Sequence, residues 1–178
     1  MIYVEKNPNG DTRTAPKGVT FEEFEEANDM HIHDVGNVMD EIARLVVKSG
    51  DIHDCTKKSQ ERMFYKDFVN TLENDFVFHS GQWYQLHINA ERHHLTDNCP
   101  EDVNLIDVIE MLVDYVCAMK ARPTDEHPYN GHKVIIDGDI LARAVANTQD
   151  LIDSMIEVKK DYRKEGSDFS SELVLKGE

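Results

Sequence analysis

Apolar positions along the chain fall mostly into helical phase. Phe21, Phe24, Val35, Val38, Ile42 and Leu45 recur on one side, with Met39 and Val46 beside them, which predicts a helix from Thr20 to about Lys48 that Gly50 closes. Thr20 and Glu23 stand at capping-box spacing, and the acids of "TFEEFEE" suit the positive end of a helix. Met63, Phe64, Phe68 and Leu72 mark a second helix over about 58–74, and a third covers about 81–94. "EDVNLIDVIEMLVDYVCAMKA" reads as one helix between Pro100, suited to a first turn, and Pro123. Ile140, Leu141, Ala144, Val145, Thr148, Leu151, Ile152 and Met155 share one side of a last helix over about 139–162. "RPTDEHPYNGHKVIIDGD" between these two reads as a loop with a short strand at 134–136, and "IYVEKNPNGDTRT" fits a short hairpin around Asn9-Gly10. The expected fold class is all-α: one domain over 1–178, a bundle of five to six helices with a short N-terminal hairpin.

Charge narrows the partners. With 35 acidic against 19 basic residues the net charge is -16, which argues against nucleic-acid polymers and anionic membranes, since both need clustered Lys and Arg. A small phosphorylated ligand stays compatible, because a bound metal ion inverts the local field. No apolar run reaches membrane-spanning length, and "MIYVEKNPNG" has no apolar signal core. Cys55, Cys99 and Cys117 are far apart and form no CxxC pair, so neither a zinc–thiolate site nor a disulfide framework is signalled. The expected setting is the reducing cytoplasm of a bacterium or a phage-infected host.

Candidate chemistry lies in the histidines. His31 is in phase with Val35 and Val38 on the apolar stripe of the first helix, whereas His33 falls in phase with Asn37, Asp40 and Arg44 on the wet face. "GDIHDCTKKS" places His53 and Asp54 side by side where the chain turns back, followed by Lys57 and Lys58. His87 and His94 are seven residues apart and share a side of the third predicted helix; His87 and His93 are six apart, a poorer match. The next helix carries Asp107, Glu110 and Asp114; Asp107 and Asp114 are two turns apart on the edge of the stripe of Ile109, Leu112, Val113 and Val116, and an acid that close to a buried face needs a partner. Imidazoles with carboxylates suit a divalent Mn, Fe, Co, Ni or Zn ion, and the lack of thiolates favours a catalytic site over a structural one.

One helical His, a His-Asp pair and an Asp on a later helix, in that order, resemble the H…HD…D signature of the HD-domain superfamily. "HDCTK" resembles the HDxxK form of HD phosphohydrolases, and "WYQLHINAERHH" with "LIDVIEMLVDYVCA" resembles a branch of small HD-like proteins of phages and bacteria. The resemblance spans about residues 28–121. It implies an HD helical core over about 21–121 and a metal held by His31, His53, Asp54 and Asp114, with "EMLVD" favouring Asp114 over Asp107. His87 with His93 or His94 then stands where some members hold a second ion. It also implies a phosphohydrolase acting on a nucleotide, a deoxynucleoside mono- or triphosphate, and a homo-oligomer. Asp54, Lys57 and Glu61 are the expected catalytic residues; Lys57, Lys58 and Arg92 are placed to meet phosphate, and Trp83 to stack a base. A two-iron oxygenase and a non-catalytic nucleotide-binding module are the alternative activities. The loop with His127, Tyr129 and His132 is long enough to cover a site.

Overall fold

The computed structural model of the chain describes residues 1–74, 76–124 and 133–159. Its elements run β1 (Ile2–Glu5), α1 (Phe21–Ile52), α2 (Cys55–Ser59), α3 (Glu61–Glu73), α4 (Gln82–Ala90), α5 (Leu105–Ala121), α6 (Gly138–Met155) and β2 (Ile156–Lys159), with short 3-10 turns at Pro8–Gly10 and Phe78–Ser80. The fold is all-α apart from this one two-stranded sheet. Two compact units divide the chain, Met1–Ile42 with Leu151–Glu178, and Ala43–Asp150. Among the described residues no helix is long and apolar enough to cross a membrane.

In the first unit, α1 starts as its sequence dictates. The Thr20 backbone N–H donates to Glu23 Oε2 (2.9 Å), and the Glu23 N–H donates to Thr20 Oγ (3.2 Å), a reciprocal capping box. The N-terminal strand forms, but its partner is the far end of the chain. β1 pairs in parallel with β2, Ile2 opposite Ile156 and Val4 opposite Val158, and Asn9-Gly10 belongs to a 3-10 turn rather than a hairpin. The last helix therefore stops at Met155, because the β-branched alternation Ile156-Glu157-Val158 is taken into the sheet. The expected strand at 134–136 is not formed, and His127, Tyr129 and His132 lie outside the described residues.

The second unit carries the core. Leu95, Val103, Val108 and Ala144 are buried together, with Cys99, Leu105, Met111, Ile136 and Ile140 packed against them. Hydrogen bonds fix α6 onto the segment before α5: Thr148 Oγ accepts from the Leu105 N–H (2.8 Å), and Asn147 Nδ2 donates to the Val103 carbonyl (2.8 Å). α5 begins at Leu105 because Asn104 and Asp107 form a capping box. Asp107 also accepts Arg92 Nε and Nη2, both at 2.8 Å, in a bidentate pair, and Arg92 Nη1 reaches Asp102 at 3.0 Å. Asp107 is thus the cap and ion partner of this corner. Asp107→Ala leaves Arg92 with Asp102 alone and removes one half of the capping box, and it is expected to cost about 2 kcal/mol in urea denaturation. A paired Arg92→Leu, Asp107→Leu variant is expected to lose less, and an equal loss would count against the ion pair.

Local breaks position the side chains that follow. α1 runs through Gly50 to Ile52, two residues past the expected stop, and brings Ser49 and His53 to the same end. The expected second helix is divided at Gln60 into α2 and α3. α4 opens at Gly81, whose missing side chain leaves room for the Asp67 carboxylate; a Cβ there would run into it. Asp67 accepts the Trp83 N–H at 2.9 Å and so ties α3 to the start of α4.

Candidate metal centre

Six residues converge in the second unit: His53, Asp54, His87, His93, His94 and Asp114. Asp54 sits in the left-handed region (φ 55°), the one non-glycine residue among those described with positive φ. That backbone kink ends the α1 direction and turns two consecutive side chains, His53 and Asp54, into one space. His53 Nε2 stands 3.2 Å from Asp54 Oδ2 and 3.4 Å from Asp114 Oδ1. Asp54 Oδ1 is 3.4 Å from His87 Nε2 and 3.7 Å from His93 Nε2, and His87 Nε2 lies 2.8 Å from His94 Nε2.

His93 and His94 reach the cluster by a route unlike the expected one. α4 ends at Ala90, and Glu91 is extended (φ -94°, ψ 120°), so the two histidines lie on turns beyond the helix. No Pro or Gly marks this break. Glu91 is drawn away to accept the Thr56 N–H (2.8 Å) and Thr56 Oγ–H (2.6 Å), while Arg92 is drawn to Asp107. His93, left between them, is 2% exposed.

The hydrogen bonds decide which ring nitrogens face inward. Thr56 Oγ is 2.6 Å from both Glu91 Oε1 and His87 Nδ1. A carboxylate only accepts, so the single hydroxyl proton goes to Glu91 and the hydroxyl oxygen accepts from His87 Nδ1–H. His87 Nε2 then carries a lone pair toward Asp54. Glu110 does the same for His53: its Oε1 takes Nδ1–H at 2.9 Å, its Oε2 accepts from Ser49, and Nε2 is left facing the carboxylates. Such carboxylate-fixed imidazoles are how proteins orient metal-binding histidines. Trp83, 1% exposed, stacks on His87 (ring centroids 4.6 Å apart) and on Phe64 (4.0 Å), and so holds the ring from its other face.

Electrostatics follow the geometry. Burial alone lowers the His53 pKa, but the bond to Glu110 and the charges of Asp54, Asp114 and Glu110 outweigh it and hold the ring above its usual value. Burial raises Asp54, and the bond to Lys57 with the neighbouring Lys57, His53 and His87 charges more than reverses that, so its carboxyl lies below the usual range. His87 is pushed down to about 4, by burial first and then by His94 and Lys57, against the pull of Asp54 and Glu91.

These groups can hold a metal ion. His53, Asp54 and His93, and separately Asp54, His87 and His94, each offer three ligand atoms within 4.8 Å of one another. Neighbouring ligands about 2.1 Å from one ion stand roughly 3.0–3.4 Å apart, the spacing seen around Asp54. Asp54 Oδ1 and both nitrogens of His93 are buried with no hydrogen-bond partner among the described residues; His93 Nδ1 lies 2.9 Å from Glu110 Oε1 but off the line of a hydrogen bond. Buried polar atoms are seldom left so, and Asp54 Oδ1 and His93 Nε2, 3.7 Å apart, fit a shared cation.

The remaining expected residues divide. Lys57 pairs with Asp54 and belongs to the cluster. Lys58 and Glu61 pair with each other (3.4 Å) on the surface, with side chains 85% and 68% exposed, and are not part of it. Arg92 is taken by Asp107 and Asp102, and Trp83 is buried in packing, so neither side chain is free for phosphate or base. His31 belongs to the first unit. There it lines a cavity of about 450 Å³ with Asp34, Val35, Val38 and Ile152. Glu110, Thr56 and Glu91 are the site residues that sequence reasoning left without a role. The first was visible as a carboxylate four residues before Asp114, on the same face.

A cavity of about 280 Å³ opens beside the cluster, with His53, Glu110 and Asp114 at one side and Val46, Ile106 and Val113 forming much of the remainder. Set against known proteins, the chain matches no family model, no curated protein and no solved structure.

Proposed function

We propose that the protein is a metal-dependent phosphohydrolase that removes phosphate from a nucleotide, with His53, Asp54, His87, His93, His94 and Asp114 as ligands of one or two divalent transition-metal ions. The observation that carries this reading is that two buried ligand atoms without a hydrogen-bond partner, Asp54 Oδ1 and His93 Nε2, face each other at 3.7 Å within the ligand groups. A bound divalent ion supplies a water of lowered pKa and neutralises phosphoryl charge. The chain's own residues do the rest. Thr56 and Glu91 keep the proton of His87 on Nδ1, and Glu110 keeps that of His53 on Nδ1, so both Nε2 atoms stay available. Lys57 is held at the cluster through Asp54 and brings positive charge to the edge where a phosphate would lie. The apolar cavity beside Asp114 offers room for the organic part of the substrate.

Elemental analysis of the purified protein tests the reading, wild type beside His53→Ala with Asp54→Ala. The expected result is bound transition metal in the wild type, none in the variant, and phosphate release from a nucleotide panel that stops with a chelator. One metal per chain assigns one of the two Asp54 groups, and two per chain assign both, with Asp54 shared. A wild type that takes up no Mn, Fe, Co, Ni or Zn overturns the proposal. Metal without phosphate release, but with oxygen uptake in the presence of iron, moves the activity to the two-iron oxygenase.

A further inference from the structure

A second cavity, of about 450 Å³, also reaches the cluster. His93, His94 and Asp114 line one end of it, with Thr96, Tyr115 and Arg122 also in its wall. Asp114, Ala118 and Arg122 follow one another in four-residue steps, so they stand on one face of α5 and its C-cap. The eight-residue separation places the backbone of Arg122 about 12 Å along the helix axis from that of Asp114.

Arg122 differs from the other cations considered. Lys57 is paired with Asp54, Lys58 with Glu61, and Arg92 with Asp107 and Asp102. The Arg122 guanidinium has no hydrogen-bond or ion-pair partner among the described residues, although it lines a cavity in a chain of net charge -16. A guanidinium presents a planar fork of donors suited to phosphate or carboxylate. The Tyr115 and Thr96 hydroxyls add donors in the same wall.

We infer that Arg122, with Tyr115 and Thr96, forms an anion subsite that holds a second, distal anionic group of the substrate. This rests on the reading that the reacting phosphate sits at the His–Asp cluster, and it narrows the substrate to a polyphosphate ester over a monophosphate. A lone phosphate at the cluster does not extend along α5 to Arg122; a chain of phosphates does.

Calorimetric titration of Mn²⁺-loaded protein with tripolyphosphate and with orthophosphate tests the subsite, the titrants carrying saturating Mn²⁺ so that they do not strip the protein. Metal-free protein is titrated in parallel. Arg122→Gln is expected to weaken tripolyphosphate by about tenfold to a hundredfold, the worth of a hydrogen bond to a charged group, and to leave orthophosphate within about twofold. Arg122→Lys is expected to recover part of the loss. Arg122 is exposed, so an unchanged thermal midpoint is expected, and it separates lost contact from lost fold. Tripolyphosphate binding unchanged by Arg122→Gln, equal weakening of both probes, or no binding of tripolyphosphate to the wild type each overturns the subsite. If elemental analysis finds no metal, the phosphohydrolase reading fails, and the metal-free titration still decides whether Arg122 binds the polyphosphate.

Discussion

Asp54→Asn is expected to empty the centre of metal and to lower phosphate release by more than about a hundredfold, while the metal-free fold loses less stability than in Asp54→Ala. Asp54 stands in both ligand groups, so its loss affects whichever ion is present. Altering even the outer partners of metal ligands costs about 10–100-fold in affinity or activity, and Asp54 is nearer than those. Asparagine is the informative replacement because of the backbone. Asp54 has φ 55° and ψ 28°, a conformation that Asn adopts nearly as readily as Asp and that other side chains resist by about 1–2 kcal/mol. Both variants are expected to lose metal and the pairing of Asp54 with Lys57, and Asp54→Ala to lose further stability through its backbone. Elemental analysis gives the first quantity, and thermal unfolding of chelator-treated samples gives the second. Wild-type metal content in Asp54→Asn would remove Asp54 from the ligand set.

Much of the fold is legible because burial on a helix repeats at short range. The stripe on α5 and the capping box at Thr20 and Glu23 need only neighbours within a few turns. What escaped the sequence depends on partners far along the chain. Leu151, Ile152 and Met155 continue helical phase, and only pairing with Ile2–Glu5 turns Ile156–Lys159 into a strand. α4 stops at Ala90 because Glu91 and Arg92 bond to Thr56 and Asp107, not because of any local breaker. The same limit governs the site. Phase gives the face of α1 on which His31 lies, and within its own unit it does line a cavity with Val35 and Val38. His53 and Asp54 were legible because adjacency at a turn is itself a short-range feature. The bonds that set the tautomers of His53 and His87 join segments 57 and 31 residues apart, and no local pattern encodes them.

Metal-free protein is expected to lose stability as pH falls from about 6.5 toward 4, and His87 is expected to account for most of the loss. In the unfolded chain a histidine binds its proton near pH 6.5. Folded His87 does so only at about 4, because burial, then His94 and Lys57, disfavour the cation. Between those values the unfolded state holds more protons than the folded one, so stability present above pH 6.5 drains away as pH falls. With the side chain 3% exposed, the loss is about 3 kcal/mol once both values are passed. His94, lowered by burial and by His93, acts in the same direction. His53 acts above this window: its raised pKa gives stability that disappears as pH rises through the folded value and that is full, and so constant, below pH 6.5. Asp54 and Glu91, both lowered, lose their contribution only as pH drops from about 4 through their folded values, below most of this window. Urea midpoints of chelator-treated wild type and His87→Gln, taken from pH 7.5 to 4.5, separate these contributions. Glutamine does not titrate, so its profile is expected to be flatter than that of the wild type by about 2 kcal/mol across the range. Two parallel profiles would mean that His87 is not held neutral by the fold. The tautomer imposed by Thr56 and Glu91 would then lose its role in keeping Nε2 ready for a metal.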